Sequence, residues 1–265
     1  MTPERVFDGK RLRAVLFPGR SRRLVVTFDY RRDGRDGFSA DDHSTGFARQ
    51  GFSQLSIKTR ANDWFVNAET PALEAALAGV ARRFDRVQAL GFSMGGYGAL
   101  RFAKALGLAQ AVIVSPQVSP VTAWDGRYRE LRDWDAALGD LASRAMPRLK
   151  GLLVFDPFVP EDLLHARTLL RVFPDLRPVR LPFGGHPAIR TLRGAGGMRV
   201  VQEESGRQGA RAVSILRAHK AARAGSKGWW LRLAAQAEAR HPALAALARD
   251  RAATLPDRPG DLDGA

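Results

Sequence analysis

Short apolar runs alternate with stretches of helical periodicity along most of the chain, the pattern of a mostly parallel sheet covered by helices. Residues 13–17 and 24–28 read as strands separated by the turn Pro18-Gly19-Arg20-Ser21, and residues 55–58 as a weaker strand. Thr70 is placed to cap a helix with Pro71 at its first position and Leu73, Leu77 and Val80 on one face. A strand over 87–92 leads into a helix over 95–106 that Gly107 ends, and 111–114 is another buried strand. Further on, 152–155 predicts a strand, 161–172 a helix and 179–183 the last strand, and a helix begins over 187–193.

Two regions break this alternation. Segment 117–147 is irregular and rich in Trp and Asp, with a helical piece near 135–144, and reads as a cap beside whatever site the sheet carries. Beyond Gly197 the pattern is helical only, at 205–223 and 229–253, split by Ala224-Gly225-Ser226-Lys227, and the residues from Pro256 on read as frayed. The expected organisation is an α/β domain over 1–197 and a helical C-terminal extension over 198–265. In that extension Trp229, Trp230, Ala234 and Ala237, followed by Pro242, Leu244, Leu247 and Pro256, resemble one tetratricopeptide-like hairpin. A solenoid needs about three such repeats, so the expected role is packing against the α/β domain or against a partner, including a second copy.

Composition narrows the chemistry. A chain of 265 residues, 45% hydrophobic and 26% charged, suits one α/β domain with a small appendage. There is no cysteine, which excludes disulfides, thiolate metal sites and cysteine nucleophiles and leaves serine as the natural nucleophile. Residues 1–13 are broken by Pro3, Glu4, Asp8 and arginines, so they hold no signal-peptide core, and no run reaches the ~18 apolar residues of a membrane span. A cytoplasmic location is expected. The net charge of +15 comes mostly from arginines spread through every segment, with no stripe, finger spacing or basic tail. No nucleic-acid partner is expected; attraction of acidic substrates or anionic surfaces stays open.

The strongest chemical signal is Gly91-Phe92-Ser93-Met94-Gly95, directly after an apolar strand and before an alanine-containing helix. That context matters, because a serine on a sharp strand-to-helix turn projects its hydroxyl, and only small residues fit where strand and helix nearly touch. The helix N-terminus also aims backbone N–H groups at a developing oxyanion. Neither a G-x-G-x-x-G string nor a P-loop lysine is present to suggest a nucleotide site.

On this motif the sequence resembles the α/β-hydrolase superfamily, over roughly residues 12–195. The resemblance implies an α/β-hydrolase fold and a Ser–acid–His triad in that chain order. Of the histidines His43, His165, His186, His219 and His241, only His186 follows the last expected strand and precedes a helix, on a loop loosened by Gly184 and Gly185. For the acid, the string Asp156-Pro157-Phe158-Val159-Pro160 matches a frequent hydrolase pattern and favours Asp156, with Asp162 as competitor; the alternative part for Asp162 is a helix N-cap or first-turn carboxylate. The oxyanion hole is expected from the N–H groups of Met94 and Tyr30, although hydrolases often read His-Gly where this chain has Phe28-Asp29.

Asn62 and Trp64, on the loop after the weaker strand, are candidates to line the acyl or sugar pocket, against a simple role as loop anchors. Ser115-Pro116-Gln117 is expected to shape the site, and Asp41-Asp42-His43 reads as surface loop rather than metal site. No metal or organic cofactor is implied. The expected activity is hydrolysis of a small-molecule or glycan carboxylic ester, or of a thioester or amide, through an acyl-enzyme. The alternatives are O-acyl transfer to a glycan or alcohol on the same triad, and a catalytically silent interaction module using the helical tail.

Overall fold

Side-chain alternation along the strands decides the layers. In the strand Arg23–Phe28, Leu24, Val26 and Phe28 fall in one buried cluster with Leu73, Leu77 and Leu100, while Val25 points the other way, into a cluster with Leu90, Val112 and Val154. Both faces of the sheet are therefore covered, as a parallel sheet requires. The computed structural model describes residues 2–131 and 133–257.

Eight strands form one sheet: β1 (Glu4–Asp8), β2 (Leu12–Phe17), β3 (Arg23–Phe28), β4 (Ser53–Thr59), β5 (Arg86–Phe92), β6 (Gln110–Val114), β7 (Gly151–Phe155) and β8 (Leu176–Arg180). Their order is β1-β2-β4-β3-β5-β6-β7-β8. β2 runs antiparallel to both of its neighbours, and every other pair is parallel. β1, with charged residues at both ends, carries no apolar run and was not expected from the pattern. The last strand ends earlier than the expected 179–183: Leu181 makes a final bond to Phe155 O, and Gly184 N–H turns back to Leu181 O. Pro182 lacks the N–H a ladder needs, whereas Pro178 is tolerated because β8 is an edge strand.

The first face is covered by α2 (Thr70–Ala81), α3 (Met94–Arg101), α4 (Ala103–Leu106) and α6 (Pro160–Val172). α3 and α4 replace the single helix expected over 95–106, with a break at Phe102, and Gly107 closes α4 in the left-handed region. Segment 117–147 contains a short 3-10 turn (Gly126–Tyr128) and α5 (Ala136–Gly139). The second face carries α1 (Thr45–Arg49), α7 (Arg190–Gly194), α8 (Met198–Gly206) and α9 (Ala212–Arg223).

α8 and α9, expected in the C-terminal extension, lie directly on the sheet. Val201, Ala210 and Ile215 are buried in the second cluster. Gln88 and Gln110, on β5 and β6, donate to Arg207 O, and Gln110 also accepts from the N–H groups of Gly209 and Ala210. α10 (Lys227–Ala237) and α11 (Pro242–Ala253) pack on each other, burying Ala234, Ala237, Ala245, Ala248 and Ala252, whose small side chains let the helices approach closely. Of the tail expected to fray from Pro256, residues from 258 lie outside those described. No described helix is long and apolar enough to cross a membrane.

Candidate active site

β5 delivers Ser93 to the carboxyl edge of the sheet and α3 leaves from the next residue. Ser93 has φ 47° and ψ −119°, a conformation that favours glycine. It is held there from both sides: its N–H donates to Val114 O at 2.8 Å, and its carbonyl accepts from Gly96 and Tyr97. A Cβ on Gly91 would lie 2.3 Å from Gly95 O, and one on Gly95 would lie 2.8 Å from Asp29 O, so both positions exclude a side chain.

Ser93 Oγ lies 2.9 Å from His186 Nε2, and His186 Nδ1 lies 2.8 and 2.9 Å from the two carboxylate oxygens of Asp162. Asp162 sits in the first turn of α6 and is almost fully buried. A buried carboxylate beside Nδ1 fixes the proton on that nitrogen and leaves Nε2 to accept from the serine. Burial alone pushes the Asp162 carboxyl upward, but the bonds and charges of His186 and Arg127, with the Ser115 hydroxyl, hold it below the ordinary carboxylate range.

Asp156, the acid favoured by the Asp-Pro string, does not meet the imidazole. Its Oδ1 accepts from Phe158 N–H at 2.9 Å and Phe183 N–H at 3.2 Å, and its Oδ2 from Gly185 N–H at 2.8 Å. Immediately at the end of β7 it has no turn to carry it outward, so it braces the backbone of the loop that presents His186. Burial raises its carboxyl above the ordinary range despite those N–H groups. The same loop is tied from outside, since Trp229 Nε1 donates to Pro182 O at 2.9 Å and Arg232 Nε to Phe183 O at 2.8 Å. The helical pair α10–α11 thereby reaches the histidine loop.

Segment 117–147 supplies a polar wall. Gln117 Nε2 lies 3.3 Å from Ser93 Oγ and 3.2 Å from Tyr128 Oη, and that Oη is 3.5 Å from His186 Nε2. Burial raises the Tyr128 phenol to about 12. Arg127 bridges two buried carboxylates, donating to Asp162 Oδ1 at 3.0 Å and to Asp125 at 2.7 and 2.9 Å. Behind it, His165 Nε2 faces Asp125 Oδ2 at 2.8 Å while its Nδ1 accepts from Val118 N–H. None of Asp125, Arg127, Tyr128 or His165 stands out in the sequence, because nothing local marks an irregular stretch as the wall of a site.

The expected pocket residues Asn62 and Trp64 take other parts. Trp64 is completely buried; its Nε1 donates to Gln117 Oε1 at 3.1 Å and its ring meets Tyr128 edge-on at 4.7 Å, so it supports the wall from behind. Asn62 clasps the backbone of Arg32 and accepts from Arg35, anchoring the β3 exit loop. In that loop Asp29 accepts from Arg35, Ser39 and Thr59 N–H, and Tyr30 stands at the rim of the Ser93 cavity. Met94 opens α3, so its N–H lies in the first turn, where helical partners are lacking. Ser115 Oγ accepts from Ala188 N–H, beside His186. His43 stacks on Phe17, and among the described residues no cluster of three or more His, Asp or Glu side chains is placed to hold a metal ion.

The cavity over Ser93 and His186 measures about 560 Å³; Tyr30, Phe92, Tyr128 and Pro187 form its less polar wall, and Arg31, Asp33, Arg127, Arg190 and Arg193 also line it.

A model of an uncharacterised protein family, UPF0227, matches residues 46–152, which include Ser93 but neither His186 nor its carboxylate partner. No curated protein sequence matches the chain. Among solved structures, the capsule O-acetyltransferase of Neisseria meningitidis serogroup A is similar at 13% identity, covering 81% of this chain and 91% of that one with a TM-score of 0.45. Acetyl xylan esterase 1 from Thermoanaerobacterium sp. aligns at 16% identity over 63% of this chain and 70% of its own, TM-score 0.42. A lidless α/β serine hydrolase of Xanthomonas campestris aligns at 17% identity over 76% and 94%, TM-score 0.43. The strand order with β2 alone reversed, and a serine on the sharp turn between β5 and α3, give this chain the α/β-hydrolase fold.

Proposed function

We propose that the protein is a serine hydrolase that cleaves a carboxylic ester through an acyl-enzyme on Ser93. The observation that carries this reading is the continuous relay from Ser93 Oγ to His186 Nε2 and from His186 Nδ1 to Asp162, at 2.9 and 2.8 Å. His186 Nε2 takes the hydroxyl proton as Oγ bonds to the substrate carbonyl carbon. The N–H groups of Met94 and Tyr30 receive the oxyanion, and Asp162 stabilises the imidazolium. Collapse of the tetrahedral adduct releases the alcohol, which takes the proton from His186. Water, deprotonated by the same nitrogen, then frees the acid and regenerates Ser93. Asp156 acts on the loop and not on the proton. The catalytic unit runs through α9, with α10 and α11 as an appendage that steadies the histidine loop.

The test is labelling with a fluorophosphonate probe together with turnover of an activated ester. Labelling at Ser93, and loss of both labelling and turnover in Ser93→Ala, is the expected result; turnover by Ser93→Ala equal to wild type would sink the assignment. Product analysis in the presence of acceptor alcohols reads whether water or a hydroxyl compound resolves the acyl-enzyme.

A further inference from the structure

The phenol of Tyr128 lines the cavity over Ser93 and has no part in the relay from serine to histidine to carboxylate. Its ring is buried edge-on against Trp64, and its Oη stands 3.5 Å from His186 Nε2. Trp64 Nε1 can only donate, so the oxygen of the buried Gln117 amide faces it and Nε2 faces the site. Gln117 Nε2 lies 3.2 Å from Tyr128 Oη, 3.3 Å from Ser93 Oγ and 3.1 Å from Ser115 O. An amide nitrogen donates and does not accept, so Tyr128 Oη is the acceptor in that pair and keeps its own hydrogen for another partner. The groups within its reach are the Ser93 hydroxyl and His186 Nε2, between which the bond to be broken must lie. Burial raises the phenol to about 12, so this hydrogen is present throughout the neutral range.

We propose that Tyr128 is a catalytic residue whose hydroxyl donates a hydrogen bond to the leaving oxygen of the ester as the tetrahedral adduct collapses. The proposal rests on Ser93 and His186 acting as nucleophile and base. In that reaction His186 Nε2 gives its proton to the departing alcohol, so the leaving oxygen comes within hydrogen-bond reach of that nitrogen. An oxygen placed there also lies beside Tyr128 Oη, because the two groups are 3.5 Å apart on the wall of one cavity. Negative charge gathers on that oxygen as its bond to carbon breaks, and a donor already fixed beside it acts most strongly at that moment. The phenol keeps its proton. His186 alone transfers one, and the alcohol departs neutral. The N–H groups of Met94 and Tyr30 serve the carbonyl oxygen, and the phenol serves the second oxygen of the ester. Such help matters for alcohols that are poor leaving groups and little for acidic phenols. The substrate class is accordingly an ester of an unactivated aliphatic alcohol, a sugar hydroxyl included.

The experiment compares wild type with Tyr128→Phe on the 4-nitrophenyl, phenyl and ethyl esters of acetic and butyric acids, whose leaving alcohols are progressively weaker acids. Phenylalanine keeps the ring against Trp64, and Gln117 Nε2 still has Ser93 Oγ and Ser115 O to donate to. The readout is kcat/KM, which covers the steps up to departure of the alcohol and leaves out hydrolysis of the acyl-enzyme. Fluorophosphonate labelling of both proteins reports an intact fold and a reactive Ser93. Tyr128→Phe is expected to label fully and to cleave the 4-nitrophenyl ester as wild type does. On the ethyl ester its kcat/KM should fall about tenfold or more, the scale of one hydrogen bond to a group gaining charge, with the phenyl ester between. Equal losses on all three esters, or no loss on any, overturn the proposal. So does a Tyr128→Phe protein that takes no label, since the phenol would then serve the serine or the fold. Wild type that cleaves the 4-nitrophenyl ester but not the ethyl ester overturns it as well. Failure of the catalytic reading shows separately, as wild-type protein that neither takes the label nor turns over any of the esters.

Discussion

Arg127 Nη1 donates to Asp162 Oδ1 across 3.0 Å, and that same oxygen lies 2.8 Å from His186 Nδ1. The carboxylate that orients the imidazole is thus itself clamped by a cation from the irregular segment. Arg127→Gln leaves Asp125 and Asp162, both buried, without the charge between them. The expected loss is about 2 kcal/mol at neutral pH, below the usual range for a buried pair because Arg127 is partly exposed. Both carboxyls are held below the ordinary range in the folded protein; burial opposes this, and the bonds to His186, His165 and Arg127 overcome it. Their stabilisation is present above the unfolded carboxylate value of about 3.9 and disappears below it. The difference between wild type and Arg127→Gln in urea unfolding should therefore be full at pH 7 and shrink below about pH 4. A difference that stays constant to pH 2 contradicts the clamp.

Asp156 and Asp162 separate cleanly by mutation. Asp162→Asn removes the acceptor that keeps the proton on His186 Nδ1, and kcat should fall by about four orders of magnitude with little change in fold. Asp156→Asn presents an amide to three backbone N–H groups and should cost about 1–3 kcal/mol of stability. Its loss of kcat should be at least about a hundredfold smaller than that of Asp162→Asn, because the imidazole keeps its partner. Steady-state kinetics on one activated ester decides it, and equal losses would return the acid to question.

Ser93 stores backbone strain for the sake of its hydroxyl. Ser93→Gly removes the cost of a positive φ, about 1–3 kcal/mol, against about 0.5–1 kcal/mol of added chain entropy. The expected net gain is about 1 kcal/mol and a Tm higher by about 2–4 °C, with activity abolished. Ser93→Ala keeps the strained φ and should show no such gain, so differential scanning calorimetry of the two variants isolates the backbone term.

His165 makes the protein sensitive to mild acid. Burial holds this imidazole below the ordinary histidine value, and the Val118 N–H aimed at Nδ1 occupies the nitrogen that a second proton would need. The unfolded chain binds that proton near pH 6.5 and the folded protein does not, so stability falls as the pH drops below about 6.5 and the loss ends once the folded histidine titrates. His219 adds to the same window, its imidazole also held down by burial. Urea midpoints between pH 7.5 and 5 should fall steadily; a flat profile would show that both rings are accessible to protons.

The elbow was legible in the sequence because its requirements are local. A strand of apolar residues, two glycines and the serine between them lie within a few positions, and the close approach of Gly91 to Gly95 that excludes a Cβ is a contact between near neighbours. The position of His186 followed from chain order and a loosened loop. The division of labour between Asp156 and Asp162 was not local. Both follow β7, and only the direction of the first turn of α6 relative to the histidine loop brings one of them to Nδ1 and leaves the other on backbone N–H groups. Trp64 read equally well as pocket or anchor until Tyr128 and Gln117, far along the chain, were packed against it. The helices after Gly197 read as an extension packing on the α/β domain or on a partner, because their periodicity does not say which surface they cover; the bonds of Gln88 and Gln110 tie the connection between α8 and α9 to the sheet.

By itself, then, the amino-acid sequence determined the layered α/β plan and the sharp strand-to-helix turn that carries Ser93, since both depend on periodicity and short-range steric demands. Only the tertiary structure shows which carboxylate meets His186 Nδ1 and that Arg127 bridges that carboxylate to Asp125. These depend on side chains brought together across separations such as the 35 residues between Arg127 and Asp162. Contacts of that range are set by how helices and loops dock on the sheet, a property of packing that no stretch of the chain carries alone.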